Sequence, residues 1–274
     1  MDRVSTKQGY LFVVGGAEDR KGNKRVLKYI VDKLNPANIT IIPTASSYPR
    51  DIDRCYTDAF GCLDVPEIRC LDIRYSHEAD RGEYLEAIDE ADLIYFGGGD
   101  QAKLVNTLKQ TILFSRIKSK FQSGKLHIAG TSAGASAIGN PIFYNGNRKG
   151  LQKGSIDYSE GFGLLDGIAI DTHFSARRRF PRLCQFLITG ECTKGIGIDE
   201  DTGIMVYPNL HFEVFGSRGV TVVNSATVTG SNYSAIRNGG NLRFNNLRVG
   251  VLPVGTRFSI KRWSILSGNK KKFQ

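Results

Sequence analysis

Short apolar runs recur along the first two thirds of the chain, at Tyr10 to Val14, Ile39 to Ile42, Ile68 to Leu71, Leu93 to Phe96 and Leu126 to Ala129. Longer amphipathic stretches separate them, among them Lys24 to Leu34 and Ala102 to Phe121. A short run without polar alternation marks a strand buried on both faces, and the longer stretches carry the repeat of a helix with one apolar side. The alternation predicts an α/β fold, a mostly parallel sheet flanked by helices. From Gly203 the pattern changes to short strands between Gly and Asn turns, at Ile204 to Tyr207, His211 to Phe215, Val220 to Val223, Leu247 to Leu252 and Arg257 to Ile260. This predicts an antiparallel C-terminal extension. Asn232 to Gly240 has little periodicity and reads as a loop, as does the polar, glycine-rich segment Gly139 to Gly154. The chain reads as one domain over 1–274: an α/β core over 1–202, a β-rich extension over 203–262 and a disordered tail over 267–274.

Where the fifth run ends, the chain reads Gly130-Thr131-Ser132-Ala133-Gly134 and passes into a helix of small residues. G-x-S-x-G between a strand and a helix is the form of a nucleophile elbow, a tight turn that lifts a serine hydroxyl clear of the sheet. A helix N-cap serine in a glycine turn reads the same way. Serine attacks well only beside a base that an acid orients. Of the four histidines, His77 lies in a charged stretch and reads as surface, and His127 lies in the strand entering the elbow. His173 and His211 both accompany strand signals, and Asp199-Glu200-Asp201 lies between them. The residues alone leave two orders open: Ser132, acid, His211, as in α/β-hydrolases, or Ser132, His173, Glu200.

Several separated motifs in one order are more specific than any single one. Gly15-Gly16-Ala17-Glu18-Asp19, Gly97-Gly98-Gly99-Asp100-Gln101, Gly130 to Ser136, Asp171-Thr172-His173-Phe174 followed by Arg177, Arg179 and Arg182, and Gly195 to Thr202 together resemble the cyanophycinase family. The resemblance runs from Gly9 to about Ile260. It implies a class I glutamine amidotransferase-like core and a serine exopeptidase related to the aspartyl dipeptidases. Such enzymes cut the polyaspartate backbone of cyanophycin, whose side chains carry arginine, from the C-terminal end and release β-Asp-Arg. The resemblance implies Ser132 as nucleophile, His173 as general base and Glu200 as orienting acid, leaving His211 a structural role. It implies an oxyanion hole from the amides of Ala133 and Gly99, with Gly98 the alternative to Gly99. Gln101, Asp171, Thr172, Arg177, Arg179 and Arg182 fall at substrate-binding positions. Guanidinium forks suit terminal carboxylates, and Asp171 and Gln101 suit the guanidinium groups of the polymer. The chain departs from the family pattern at Thr172, where glutamine is usual, which leaves open a related β-aspartyl peptide or a modified polymer. An aspartyl dipeptidase acting on short peptides and a non-catalytic binding member of the fold are the competing readings. The resemblance also implies a homodimer, and neither a cofactor nor a metal.

Charge alters this picture little. The net charge is +10, from 37 basic and 27 acidic side chains, an excess that raises nucleic-acid or membrane binding. Much of it is local: Arg177, Arg178, Arg179 and Arg182 follow His173, and Lys270, Lys271 and Lys272 sit in the tail. No nucleic-acid module is recognisable, and no run approaches the ~20 apolar residues of a membrane helix. With a short polar start over Met1 to Gln8, the chain reads as cytoplasmic. Five cysteines without C-x-x-C spacing read as reduced thiols. Gly15-Gly16-Ala17 lacks the full G-x-G-x-x-G spacing of a dinucleotide loop. Pro181 suits a first helical turn, which predicts an irregular segment over 175–180 and a helix carrying Arg182 to Ile188. In an extended loop Arg178 would face water, with Arg177 and Arg179 pointing the other way.

Overall fold

The five apolar runs form β1 (Leu11–Val14), β2 (Asn38–Ile42), β3 (Glu67–Cys70), β4 (Leu93–Phe96) and β5 (His127–Thr131). They are joined by α1 (Arg25–Leu34), α2 (Pro49–Gly61), α3 (Gly82–Glu90), α4 (Gln101–Leu108) and α5 (Ile112–Gln122), and α6 (Ala133–Ile138) follows β5. The computed structural model describes residues 8–146 and 151–266; the tail expected to be disordered, 267–274, lies outside them. β1, β5, β4, β2 and β3 pair in that order, all parallel.

The strand repeat of two sends alternate side chains to opposite faces, which explains why β1 and β4, covered on both, are apolar throughout. Leu11 and Val13 join a cluster with Ile88 of α3, Leu104 of α4 and Ile117 of α5. Phe12 and Val14 meet Val26 and Ile30 of α1 and Phe60 of α2 on the other face. Each such side chain contributes about 1.5–3 kcal/mol on burial. The amphipathic stretch from Ala102 to Phe121 is divided between α4 and α5. The Thr111 hydroxyl donates to the Leu108 carbonyl at 2.7 Å and accepts the Phe114 amide at 3.1 Å, ending one helix and capping the next.

Beyond α6 lie β6 (Gly139–Asn140), β7 (Ile142–Asn145), β8 (Ile156–Ser159), β9 (Leu165–Asp166), β10 (Ile168–Asp171), α7 (Phe180–Ile188) and β11 (Lys194–Ile198). The C-terminal strands are β12 (Thr202–Val206), β13 (His211–Gly216), β14 (Gly219–Asn224), β15 (Arg248–Pro253), β16 (Arg257–Ser259) and β17 (Ser264–Ile265). They pair antiparallel as expected, yet they are shared between two sheets. β12, β13, β16 and β17 extend the main sheet from β1 to nine strands, whereas β14 and β15 join β11, β10, β6 and β9 in a sheet of six. One face of this second sheet, through Ile168, Ile170, Ile196 and Val222, packs into the cluster that holds Leu11 and Val13. The other is covered by α7, with Leu183 and Phe186 against Ala169 and Val223.

The segment Gly139 to Gly154, expected to be a loop, is partly strand. β6 belongs to the second sheet and β7 forms a hairpin with β8, because Ile142 and Phe143 bury an apolar pair that the surrounding glycines and asparagines obscure. Asn232 to Gly240 contains neither helix nor strand, as expected.

Candidate active site

The motif-bearing turns gather at the C-terminal ends of β1, β4, β5, β10 and β11, the edge where open α/β sheets hold ligands. Ser132 follows β5 with φ 52° and ψ −110°, outside the regions L-residues ordinarily occupy, as the sharp turn of a nucleophile elbow requires. Ser132 Oγ lies 2.9 Å from Nε2 of His173, and His173 Nδ1 lies 2.8 Å from Oε1 of Glu200. With the Nδ1 proton donated to the carboxylate, the Nε2 lone pair faces the hydroxyl. Ser132 comes from the main sheet and the other two from turns that follow β10 and β11 in the second. The turn after β1 ties the sheets together. The Gly15 carbonyl accepts the His173 amide at 2.7 Å, the Gly16 carbonyl accepts the Asp201 amide at 3.0 Å, and the Val14 carbonyl accepts the Ser132 amide at 3.1 Å. Gly16 has φ 92°, and a Cβ there would lie 2.4 Å from His173 Nε2, so only glycine leaves room for the ring.

Burial lowers the His173 pKa below its ordinary value; the Glu200 hydrogen bond opposes this, and the charges of Arg177 and Arg179 reinforce it. The imidazole is therefore a neutral base near pH 7. His211 lies apart, beginning β13 with Tyr207, Asn209 and Arg257 around it. Its amide bonds Asn209 Oδ1 at 3.1 Å. His127 stacks on Tyr10, whose amide it accepts at Nδ1. All five cysteines are unpaired, and burial pushes the thiols of Cys184 and Cys192 up to about 12 and about 11, so neither is an attacking thiolate near neutral pH.

On the proposed oxyanion side, Ala133 opens α6. A Cβ on Gly98 would lie 3.4 Å from the Ser132 Cβ, so Gly98 borders the nucleophile, while Gly99, with φ 142°, turns against the Ala45 carbonyl. Among the described residues the amides of Gly98, Gly99 and Ala133 donate to no acceptor within the protein.

The arginine segment is not extended. The Arg177 amide bonds the His173 carbonyl, Arg178 that of Ser175 and Arg179 that of Phe174, a compact turn that leaves both Arg177 and Arg178 exposed. The alternation expected of an extended loop fails for that reason, and α7 starts at Phe180 with Pro181 in its first turn. Arg179 and Arg182 turn inward onto Asp171. Arg179 Nη1 lies 3.2 Å from Oδ1, Arg182 Nε lies 3.1 Å from Oδ2, and Arg182 Nη2 also donates to Oδ1. Asp171, expected to accept guanidinium groups of a substrate, is 0% exposed and already holds two guanidinium groups of its own chain. It anchors the arginines. Arg179 Nη1 also donates to the Thr172 carbonyl at 2.8 Å; burial pulls its pKa down to about 10, which leaves it charged. Thr172 is itself buried, its amide on Asp171 Oδ1 at 3.0 Å. β7 completes the cluster. Arg182 Nη1 donates to the Asn145 carbonyl at 3.0 Å and its guanidinium lies 5.0 Å from the Phe143 ring centre, while Gln101 donates its side-chain amide to the Phe143 carbonyl at 3.0 Å.

Residues 11–209 match the sequence pattern of peptidase family S51. The chain belongs to that family. This S51 peptidase is 30% identical to the cyanophycinase of Geminocystis herdmanii over 261 residues, 94% of this chain and 96% of the relative. It is 31% identical to the cyanophycinase of Trichormus variabilis over 265 residues, 96% of this chain and 89% of the relative. A crystal structure of a peptidase from an acI-B1 Actinobacterium shares the fold, with TM-score 0.64 at 24% identity over 88% of this chain and 95% of that one.

In the peptidase the motif after β1 has a local meaning that its letters alone conceal. Gly15 and Gly16 seat His173, and Asp19 shapes the turn beyond them. Its carboxylate accepts the amides of Gly22, Lys21 and Lys24, which hold its pKa down at about 2. Asp199, beside Glu200, accepts the Ser175 amide at 3.0 Å and so steadies the start of the arginine turn. The Asp19 turn is local, whereas the contacts of Gly15 with His173 and of Asp199 with Ser175 pair residues far apart in the chain and have no local signal in the sequence.

Proposed function

We propose that this S51 peptidase is a serine exopeptidase that cleaves the polyaspartate backbone of cyanophycin (multi-L-arginyl-poly-L-aspartate) from its C-terminal end and releases β-Asp-Arg through an acyl-enzyme. The observation that carries this reading is the unbroken line from Ser132 Oγ to His173 Nε2, 2.9 Å, and from Nδ1 to Glu200, 2.8 Å. Relatives that match nearly the whole chain are cyanophycinases, which supports the substrate. Neutral His173 takes the Ser132 proton as Oγ attacks the backbone carbonyl, then returns it to the leaving amine. Water, deprotonated by the same histidine, frees the acyl group, and Glu200 stays ionised throughout. The tetrahedral oxyanion meets the amides of Ala133 and Gly99, with Gly98 beside them, each donor lowering the barrier by about 3–4 kcal/mol.

Arg177, Arg179 and Arg182 supply the positive field for terminal carboxylates. Asp171 acts through the last two by fixing their forks, while Gln101 joins the same cluster through the Phe143 carbonyl and Thr172 through its own carbonyl on Arg179. Residues 1–274 act as a single catalytic domain, a reading favoured by β12 and β1 lying side by side in one sheet. The peptidase works in the cytoplasm as a homodimer, without cofactor or metal.

The test is mass spectrometry of products after incubation of wild-type and Ser132→Ala protein with cyanophycin. β-Asp-Arg from wild type alone is expected. Folded wild-type protein that releases none overturns the substrate assignment, and a library of β-aspartyl peptides then identifies what a site with Thr172 at this position accepts.

A further inference from the structure

Beneath the elbow lies a carboxylate that the steps above do not use. Glu18 is 4% exposed. Its Oε2 accepts the hydroxyl of Thr131 at 2.7 Å, and its Oε1 accepts the hydroxyl of Tyr95 at 2.8 Å and that of Tyr56. Burial, then the Glu18 charge, pushes both phenols well above their usual range, so each is a neutral O–H donor. Arg20 lies over the Tyr56 ring, 5.4 Å from its centre. A carboxylate taken out of water is expensive, and well-packed apolar residues would hold the same elements together at less cost. What the carboxylate adds is direction. It fixes one hydroxyl from each of α2, β4 and β5 at a single point, and the β5 hydroxyl belongs to the residue immediately before Ser132.

We propose that Glu18 is a positioning residue for the nucleophile. Through Thr131 it clamps the end of β5, so that Ser132 keeps its φ of 52° and its Oγ stays 2.9 Å from His173 Nε2. The proposal rests on Ser132 being the nucleophile. It gives the Gly15-Gly16-Ala17-Glu18-Asp19 motif two registers of control, the glycines seating the base and Glu18 the attacking group, with no contact to substrate from either.

Thr131→Val removes the hydroxyl at nearly constant volume, and Thr131→Ser keeps it. The readout is the rate at which a small neutral serine-directed phosphonate labels Ser132, followed by intact-protein mass spectrometry, which needs no natural substrate. Thr131→Val is expected to label about 10- to 100-fold more slowly than wild type, and Thr131→Ser within about 3-fold of it. With a turned-over substrate, kcat falls in Thr131→Val while KM holds. Added to a folded Glu18→Ala protein, Thr131→Val slows labelling no further. Labelling of Thr131→Val at the wild-type rate overturns the proposal, as does equal slowing in the valine and serine variants, which assigns the effect to packing. Additive losses in the Glu18 and Thr131 variants overturn it too. Wild-type protein in which Ser132 is never labelled removes the serine-peptidase reading itself, and this proposal with it.

Discussion

His173 sits with its ring against Gly16, and burial holds its pKa below the ordinary value of about 6.5. With the neutral imidazole as the proposed base, activity is expected to rise as pH climbs through this pKa and to be lost below it. Arg177 is one of the cations that disfavour the imidazolium. In Arg177→Ala the His173 pKa therefore rises, and the acid limb of the kcat profile moves to higher pH; a limb that stays in place or moves down refutes the coupling. Ser132→Ala and His173→Ala are each expected to lower kcat by about 10⁴-fold or more, while His211→Ala keeps most of it. Loss in the His211 variant with retention in the His173 variant would restore the order Ser132, acid, His211. Local pattern could not separate these two histidines, since both accompany strands. What separates them is pairing. β10 lies parallel to β11 with Asp171 opposite Gly197, which brings the turn that carries residue 173 alongside the turn that carries residue 200.

Between β10 and α7 the Asp171 carboxylate binds two guanidinium groups, and removal of one partner leaves a buried charge half-compensated. Loss of a partner from a buried pair costs about 3–5 kcal/mol, so Arg182→Ala should lower the urea midpoint markedly. Arg182→Lys restores the charge without the fork and should recover only part of the loss; complete recovery would show that charge alone matters. This cluster was half legible. Four arginines after His173 mark a charged turn in any reading of the sequence, but their directions depend on the backbone bonds from Arg177 to His173 and from Arg179 to Phe174. β1, β2, β4 and β5 were legible because a strand buried on both faces needs no knowledge of its partners, and the elbow because five adjacent residues encode it. β6 and β9 were not, being two residues each and held by pairing with distant strands. Gln101 and Arg182 meet through β7, a strand hidden between glycine-rich flanks.

Across the molecule, burial falls from the middle of the main sheet outward. β1 and β4 are buried along their whole length, whereas both residues of β17, at the sheet's edge, are exposed. Amides of Phe12 to Val14 and Ile94 to Phe96 should exchange with solvent only through global unfolding, and those of Ser264 and Ile265 orders of magnitude faster. Native-state hydrogen exchange read by mass spectrometry checks this; fast exchange in β1 would contradict the layer order. Among the described residues no helix is long and apolar enough to cross a membrane. The division of the proposed triad between two sheets also bears on the life of the chain before it is complete. Ser132 precedes His173 by 41 residues, and Glu200 follows 27 later. The serine therefore leaves the ribosome first and waits for its proton acceptor until β10 and β11 have been made and have docked on Gly15 and Gly16. On the proposed assignment, a nascent chain stalled or clipped in that interval carries an elbow without its base and is expected to hydrolyse nothing.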